Sequence, residues 1–331
     1  MAELITQRAS QLAGLSVFAD CFGADLYGLA TELEDLQARV GDVLMRQGDH
    51  ADFFVILASG TVRICHESDE GATYSIDVGA GQIVGEIALL RNTSRIATVI
   101  AETPLVGWRG GDDAFAELIE LPGVLQLLVR TARQRLAAFI TPIPVRARDG
   151  TELLLRPVLP GDSVRTTSSH VEFSADTLYR RFMTARRPSK ALMDYLFEVD
   201  YVDHFVWVIT DQDDLVVADA RFVRDMADRS VAEIAFIVGD DYQHKGLGSF
   251  LMKALSVAAG EAGVQKFTAR VLSDNLAMRR ILNSYGAVWE REDLGVVTTQ
   301  IDVPDRGLVR LPKPLIEDIA GMARKVIRAV S

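Results

Sequence analysis

The 331 residues carry a net charge of −11, with 49% hydrophobic and 7% aromatic content. That is enough chain for two or three domains of about 100–200 residues each. The acidic balance repels a phosphate backbone and argues against DNA or RNA as a partner. The charge is uneven: residues 1–140 hold 10 Arg, no Lys and 19 Asp or Glu, and the first lysine is Lys190.

Cys21 and Cys65 stand in no metal or redox spacing and read as small buried apolar residues in a reducing compartment. The N-terminus lacks a secretory apolar core, and no apolar run approaches a membrane span. A cytoplasmic protein without metal is expected.

Residues 1–40 read as helical, with Leu26, Leu29, Leu33 and Leu36 at helical spacing. From Gly41 to Arg109 the pattern turns to short strands, at Phe53–Leu57, Thr61–Cys65, Tyr74–Val78, Ile96–Ala101 and Leu105–Trp108. Gly48-Asp49, Ser59-Gly60, Glu70-Gly71 and Gly79-Ala80-Gly81 break them. Many short strands at regular spacing predict a small antiparallel barrel or jelly roll. Residues 112–140 return to helix.

Pro142 and Pro144 end that helix and set a boundary. We divide the chain into a domain at 1–140, a linker at 141–150, a second domain at 151–304 and a docking helix within 305–331. The second domain reads as strand 152–156, helices within 174–200, strands 205–210, 215–223 and 231–238, helix 246–260, strand 266–272, helix 275–284 and two strands within 287–302. Alternating strands and helices predict α/β.

Two motifs carry chemistry. In the first, Gly85-Glu86-Ile87-Ala88 leads through a short apolar helical turn to Arg95-Ile96-Ala97. A planar guanidinium suits a phosphate, an ionised carboxylate accepts from a hydroxyl, and amides at a helix start bind anions. The stretch resembles the phosphate-binding cassette of cyclic-nucleotide-binding domains. The likeness spans about residues 15–140 and includes Gly41-Asp42-Val43-Leu44, Gln47-Gly48-Asp49 and Phe53-Phe54-Val55-Ile56. It implies a β-jelly roll with flanking helices, Glu86 on a ribose and Arg95 on a cyclic phosphate. Ile96 stands where guanine-selective members often carry threonine, which favours cAMP. The family's lid over the base points to Arg130, Arg133, Arg135 and Phe139.

In the second motif, strand 231–238 with Phe236-Ile237-Val238 leads to Gln243-His244-Lys245-Gly246-Leu247-Gly248 and an apolar helix. Glycines let backbone approach a diphosphate at a helix N-terminus. With Leu155-Arg156-Pro157, Ser273-Asp274-Asn275 and Gly286, this resembles the Gcn5-related N-acetyltransferase superfamily over about 153–301. Phe173–Phe182 and Val199–His204 resemble its bacterial protein-lysine acetyltransferases, and the whole chain resembles the mycobacterial-type cAMP-regulated group. The resemblance implies acetyl-CoA as donor, protein lysines as acceptors (acyl-CoA synthetases among them), Glu233 as general base and Asn275 on the pantetheine arm.

Glu233 is the only charge in its apolar run, where a raised pKa is expected. An alternative is an edge-strand salt bridge to Arg221. The superfamily's usual tyrosine acid falls on Leu282, with Tyr285 three residues on. The segment 161–173, containing His170, is a candidate regulatory lid that blocks the acceptor site until cAMP binds. Rival readings are an acetyltransferase for a small amine and a catalytically weak sensor of cAMP and acetyl-CoA.

Overall fold

The structure, a computed structural model, describes residues 2–68, 71–163, 171, 173–184, 189–197 and 199–329. His170 lies outside the described residues. The chain divides into two compact units, Met1–Phe139 and Ile140–Ala329.

In the first unit the strands are β1 (Leu33–Ala38), β2 (Val43–Met45), β3 (Phe54–Ser59), β4 (Thr61–Glu67), β5 (Thr73–Gly79), β6 (Ile83–Val84), β7 (Thr98–Ala101) and β8 (Leu105–Gly110). They form two antiparallel sheets, ordered β1-β8-β3-β6 and β2-β7-β4-β5. β3 shows why both faces fill. Val55 and Leu57 join Val62, Val78, Val99 and Phe139 in one core, while Phe54 and Ile56 join Leu29, Trp108 and Leu118 in another under the helices. Strand alternation sends one apolar set to each side.

One expectation fails here. The helix read through residue 40 stops at Glu32, and Leu33–Ala38 is a strand paired with β8 from Leu33↔Gly110 to Ala38↔Leu105. Leucines at helical spacing yield to a ladder that an isolated window does not reveal. The helix read at 112–140 is two, Asp112–Glu120 and Val124–Ala138, separated at Pro122-Gly123. Cys21 and Cys65 are free and half-buried rather than fully buried.

The second unit holds β9 (Ile143–Arg146), β10 (Glu152–Pro157), β11 (His204–Thr210), β12 (Val216–Arg224), β13 (Val231–Val238), β14 (Lys266–Leu272), β15 (Glu290–Asp293) and β16 (Val296–Asp302). Their order is β15-β16-β14-β13-β12-β11-β10-β9. Part of the segment read as a linker is thus a strand at the sheet edge, paired with β10 from Glu152↔Arg146 to Leu155↔Ile143. Helix Leu247–Ala262 buries Leu251, Met252, Leu255 and Ala258. Helix Lys313–Ile327 packs on it, with Arg324 Nε and Nη2 donating to Glu261 at 2.9 and 2.7 Å.

His204 is buried beside Arg221, Asp200, Asp219 and Arg181, and its Nε2 has no hydrogen-bond partner. Burial first, then the Arg221 cation, pushes its pKa down to about 4. Unfolding releases it to titrate near ~6.5, so the unfolded chain gains a proton that the folded chain refuses. Its neutral burial is harmless above that pH and costs up to roughly 3 kcal/mol as pH falls from about 6.5 to about 4. Urea unfolding of wild type and His204→Phe checks this: the variant should gain roughly 2–3 kcal/mol relative to wild type between pH 7.5 and 4.5.

Candidate functional site

The first-unit site begins at the end of β6. Gly85 caps helix Glu86–Arg91 with φ +87°, and a Cβ there would meet Met45 Cε at 2.5 Å and Arg95 Nη1 at 3.0 Å. Only glycine fits both the dihedral and the space. The Arg95 backbone is fixed by Arg95 N–H donating to Asp49 O and by Arg95 O accepting from Gly48 N–H, each at 2.8 Å.

Arg95 is 4% exposed, and its guanidinium donates to the Gly85 carbonyl at 2.9 Å and the Phe53 carbonyl at 2.6 Å. The nearest carboxylate, Asp52, stands at 3.9 Å and is itself exposed. Burial pushes the Arg95 pKa below the ordinary arginine value, with Asp52 opposing and Arg109 adding to the effect. A buried cation so weakly matched favours an incoming anion.

Glu86, 1% exposed, is taken by Arg135 Nη1 at 2.6 Å rather than by Arg95. Arg135 also donates to Ile83 O at 2.6 Å and Gln82 Oε1 at 3.0 Å. Gly85, Glu86, Ile87, Ala88, Arg95, Ile96, Ala97, Arg135 and Phe139 line one cavity of about 30 Å³. Arg130 and Arg133 do not line it. Met45, Ile64 and Val99 also line it; no motif marks them, only the inward parity of their strands. Phe139 closes the space by stacking on His66 at 5.0 Å, while His66 Nδ1 bonds Ile96 O at 2.7 Å.

In the second unit a fork in the sheet makes the cleft. β13 pairs along its length with β12, from Ala218↔Val238 to Arg224↔Ala232. On its other side it pairs with β14 in parallel only from Val231↔Lys266 to Glu233↔Thr268. Past Glu233 the two strands part. Phe236, Ile237 and Val238 then line a cleft of about 600 Å³ with Gln243, His244, Gly246, Leu247, Gly248 and Asn275. Gly246 caps helix Leu247–Ala262 at φ +90°, and the first amides of that helix have no carbonyl before them to pair with. The Asn275 side chain accepts from Met278 N–H at 3.1 Å, capping helix Leu276–Asn283 from the cleft wall.

Two residues of the motif have their polar ends committed to other protein groups. Lys245 does not line this cleft; its ammonium pairs with Asp149 at 2.9 Å. The Gln243 amide is spent on its own loop and on helix Ala175–Phe182, donating to Val238 O at 3.2 Å, Asp240 Oδ1 at 2.9 Å and Thr177 Oγ1 at 3.0 Å. Sequence reading missed Arg148, Arg180, Arg181 and Arg280, which also line the cleft. Nothing in their spacing points to a phosphate.

Glu233 stands at the fork. Ala232 and Ile234 face the core at 0% and 3% exposure, whereas Glu233 points to the opposite, open face. The apolar run therefore does not bury it, because alternation separates it from its neighbours. Neither is it on an edge strand, and Arg221 pairs with Asp219 at 2.9 Å instead. Glu233 lines a recess of about 450 Å³ with Val223, Arg224, Asp225, Met226, Ala227 and Thr268. It also lies within electrostatic reach of the cleft. Arg181, whose pKa is pushed down to about 10 by burial and then by Arg221, is supported by Asp219 and Glu233. Leu282 is fully buried, and Tyr285 does not line the cleft.

Fold and sites define a GNAT acetyltransferase joined to a cyclic nucleotide-binding domain: residues 36–121 match the cyclic nucleotide-binding domain family and 152–288 the acetyltransferase (GNAT) domain family. The chain is 55% identical over 332 residues to Acetyltransferase Pat of Mycolicibacterium smegmatis, covering 100% of both, and it belongs to that family. A solved cAMP-binding acyltransferase from Mycobacterium smegmatis is 52% identical with a TM-score of 0.54, covering 100% of both chains. The first unit is similar to the cAMP-dependent protein kinase regulatory subunit of Dictyostelium discoideum, 28% identical over 141 residues, 38% of this chain and 42% of that one. No helix among the described residues is long and apolar enough to cross a membrane.

Proposed function

We propose that this enzyme transfers acetyl from acetyl-CoA to lysine side chains of proteins, and that cAMP controls the transfer. The observation that carries the reading is Glu233 at the sheet fork, exposed between a donor cleft and an open acidic recess. Met226, 97% exposed, and Asp225 line that recess with it. An open recess whose two carboxylates outnumber its one cation, Arg224, suits a lysine presented on a protein surface better than a small amine that needs enclosure.

The diphosphate of acetyl-CoA lies on the amides that follow Gly246, and the pantetheine arm runs along Phe236–Val238 past Asn275. Lysine is almost wholly protonated at neutral pH. Glu233 takes the ammonium proton, directly or through one water, and the free nitrogen attacks the thioester carbonyl. Collapse of the tetrahedral adduct forms the amide and breaks the carbon–sulfur bond; the second proton of the nitrogen passes through water to the departing thiolate, and Glu233 returns its own proton to solvent.

In the first unit, Arg95 receives the cyclic phosphate, and the carboxylate of Glu86 the ribose 2′-hydroxyl. A cavity of about 30 Å³ holds a water and not a nucleotide. Entry of cAMP therefore displaces Phe139 and loosens Arg135 from Glu86. That movement of the helix end at Ala138 is the event we assign to the switch. Binding energy spent there is available as coupling, typically about 1–3 kcal/mol.

Mass spectrometry of lysate proteins incubated with the enzyme and acetyl-CoA, with and without cAMP, tests the reading. New acetyl-lysines that accumulate faster with cAMP support it. Equal rates with and without the nucleotide would remove the regulatory half. Acetylation confined to small amines would remove the protein acceptor.

A further inference from the structure

The turn that joins β9 to β10 precedes the segment matched by the GNAT family, yet it docks on the donor cradle. Arg148 N–H donates to Lys245 O at 3.0 Å, and Asp149 Oδ2 holds Lys245 Nζ at 2.9 Å. Asp149 also accepts from Thr151 N–H at 3.1 Å and from its hydroxyl at 2.7 Å, which shapes the turn. The lysine of the glycine-rich motif is thereby used up in gripping this turn, and the turn presents an arginine in its place.

We propose that Arg148 binds the diphosphate of the acyl-CoA donor. Its Nε lies 2.9 Å, and its Cδ and Cγ 3.1 Å, from where a Cβ on Gly246 would stand. The side chain thus covers the open face of Gly246, the residue that caps helix Leu247–Ala262. It lines the donor cleft and also an adjoining recess shared with Arg146, Lys245 and Lys253. Among the described residues no carboxylate pairs with Arg148, whereas Arg146 pairs with Glu152 and Lys245 with Asp149.

An unpaired planar guanidinium beside a helix N-terminus offers two parallel donors where the amides already favour an anion. Asp149, the nearby negative charge, is offset by its ion pair with Lys245. The absence of a side chain at Gly246 serves two purposes: it permits φ +90° and leaves room for Arg148.

This inference rests on the acetyl-CoA reading above. Its test uses the full chain and the variants Arg148→Gln and Arg148→Lys, with steady-state kinetics on acetyl-CoA and on acetyl-dephospho-CoA, which keeps the diphosphate and lacks the 3′-phosphate. For Arg148→Gln the expected result is a KM about tenfold higher for both donors, with kcat within about twofold, and partial recovery in Arg148→Lys. An unchanged KM overturns the proposal. So does a rise confined to acetyl-CoA, which would place the guanidinium on the 3′-phosphate instead. Calorimetry of wild type against acetyl-CoA separates the two levels: no binding there defeats the donor reading itself, whereas normal binding in wild type and Arg148→Gln alike defeats only the role of Arg148.

Discussion

Replacing Glu233 by glutamine lowers acetyl transfer to lysine by about 10²–10⁴-fold at neutral pH, the usual contribution of a positioned proton acceptor. The amide keeps the shape of the side chain and removes its basicity. Because Glu233 lines the recess proposed for the acceptor and not the cleft proposed for the donor, affinity for acetyl-CoA should change little. The pH dependence separates loss of a base from loss of structure. A lysine amine has a pKa near ~10.4, so its free fraction rises about tenfold per pH unit below that value. Without an acceptor the variant depends on this fraction alone. Its rate should therefore climb about tenfold from pH 7 to 8 and again to 9, and the deficit against wild type should shrink over that interval. A uniform deficit at every pH would point to a misplaced strand and count against the base. Initial rates on a fixed lysine-bearing protein, read by acetyl-lysine mass spectrometry, decide the matter.

Arg95→Gln should weaken cAMP binding by roughly 10²–10⁴-fold. Two charge-assisted hydrogen bonds at about 1.5–3 kcal/mol each set the scale. The environment explains why no neighbour takes over. Arg95 is 4% exposed, and Arg109, the cation that shares the Phe53 ring with it, does not line the cavity. The phosphate would then enter a buried site with an unmatched negative charge. Equilibrium binding of a fluorescent cAMP analogue, with unlabelled cAMP as competitor, measures the loss. A change below about threefold would show that the phosphate lies elsewhere.

Much of this was readable because the chemistry sits in short contiguous stretches. Gly85–Ala97 and Gln243–Gly248 each combine a turn, a helix start and the polar side chains in a single window. Strands such as Lys266–Leu272 carry enough β-branched and alternating character to be placed from sequence. What escaped depends on pairing across the chain. Leu33–Ala38 becomes a strand only because β8 lies beside it. Glu233 looks buried in its apolar run, yet the pleat turns it outward, and the fork that gives it meaning is the end of a ladder with β14, more than thirty residues away. The pairing of Glu86 with Arg135 links residues 49 apart. Arg148 falls in a stretch that reads as a connector between two prolines and a glycine, and only the docking of its turn on Lys245 brings it to the cleft. Local patterns reveal cassettes; they do not reveal which distant cation completes them.

The whole account requires two separate anion sites in one polypeptide. Isothermal titration of the purified full chain, first with cAMP and then with acetyl-CoA, tests that most directly. The predicted result is one saturable site per chain for each ligand, with the affinity for one altered when the other is already bound. A chain that gives no saturable binding with either ligand would contradict it.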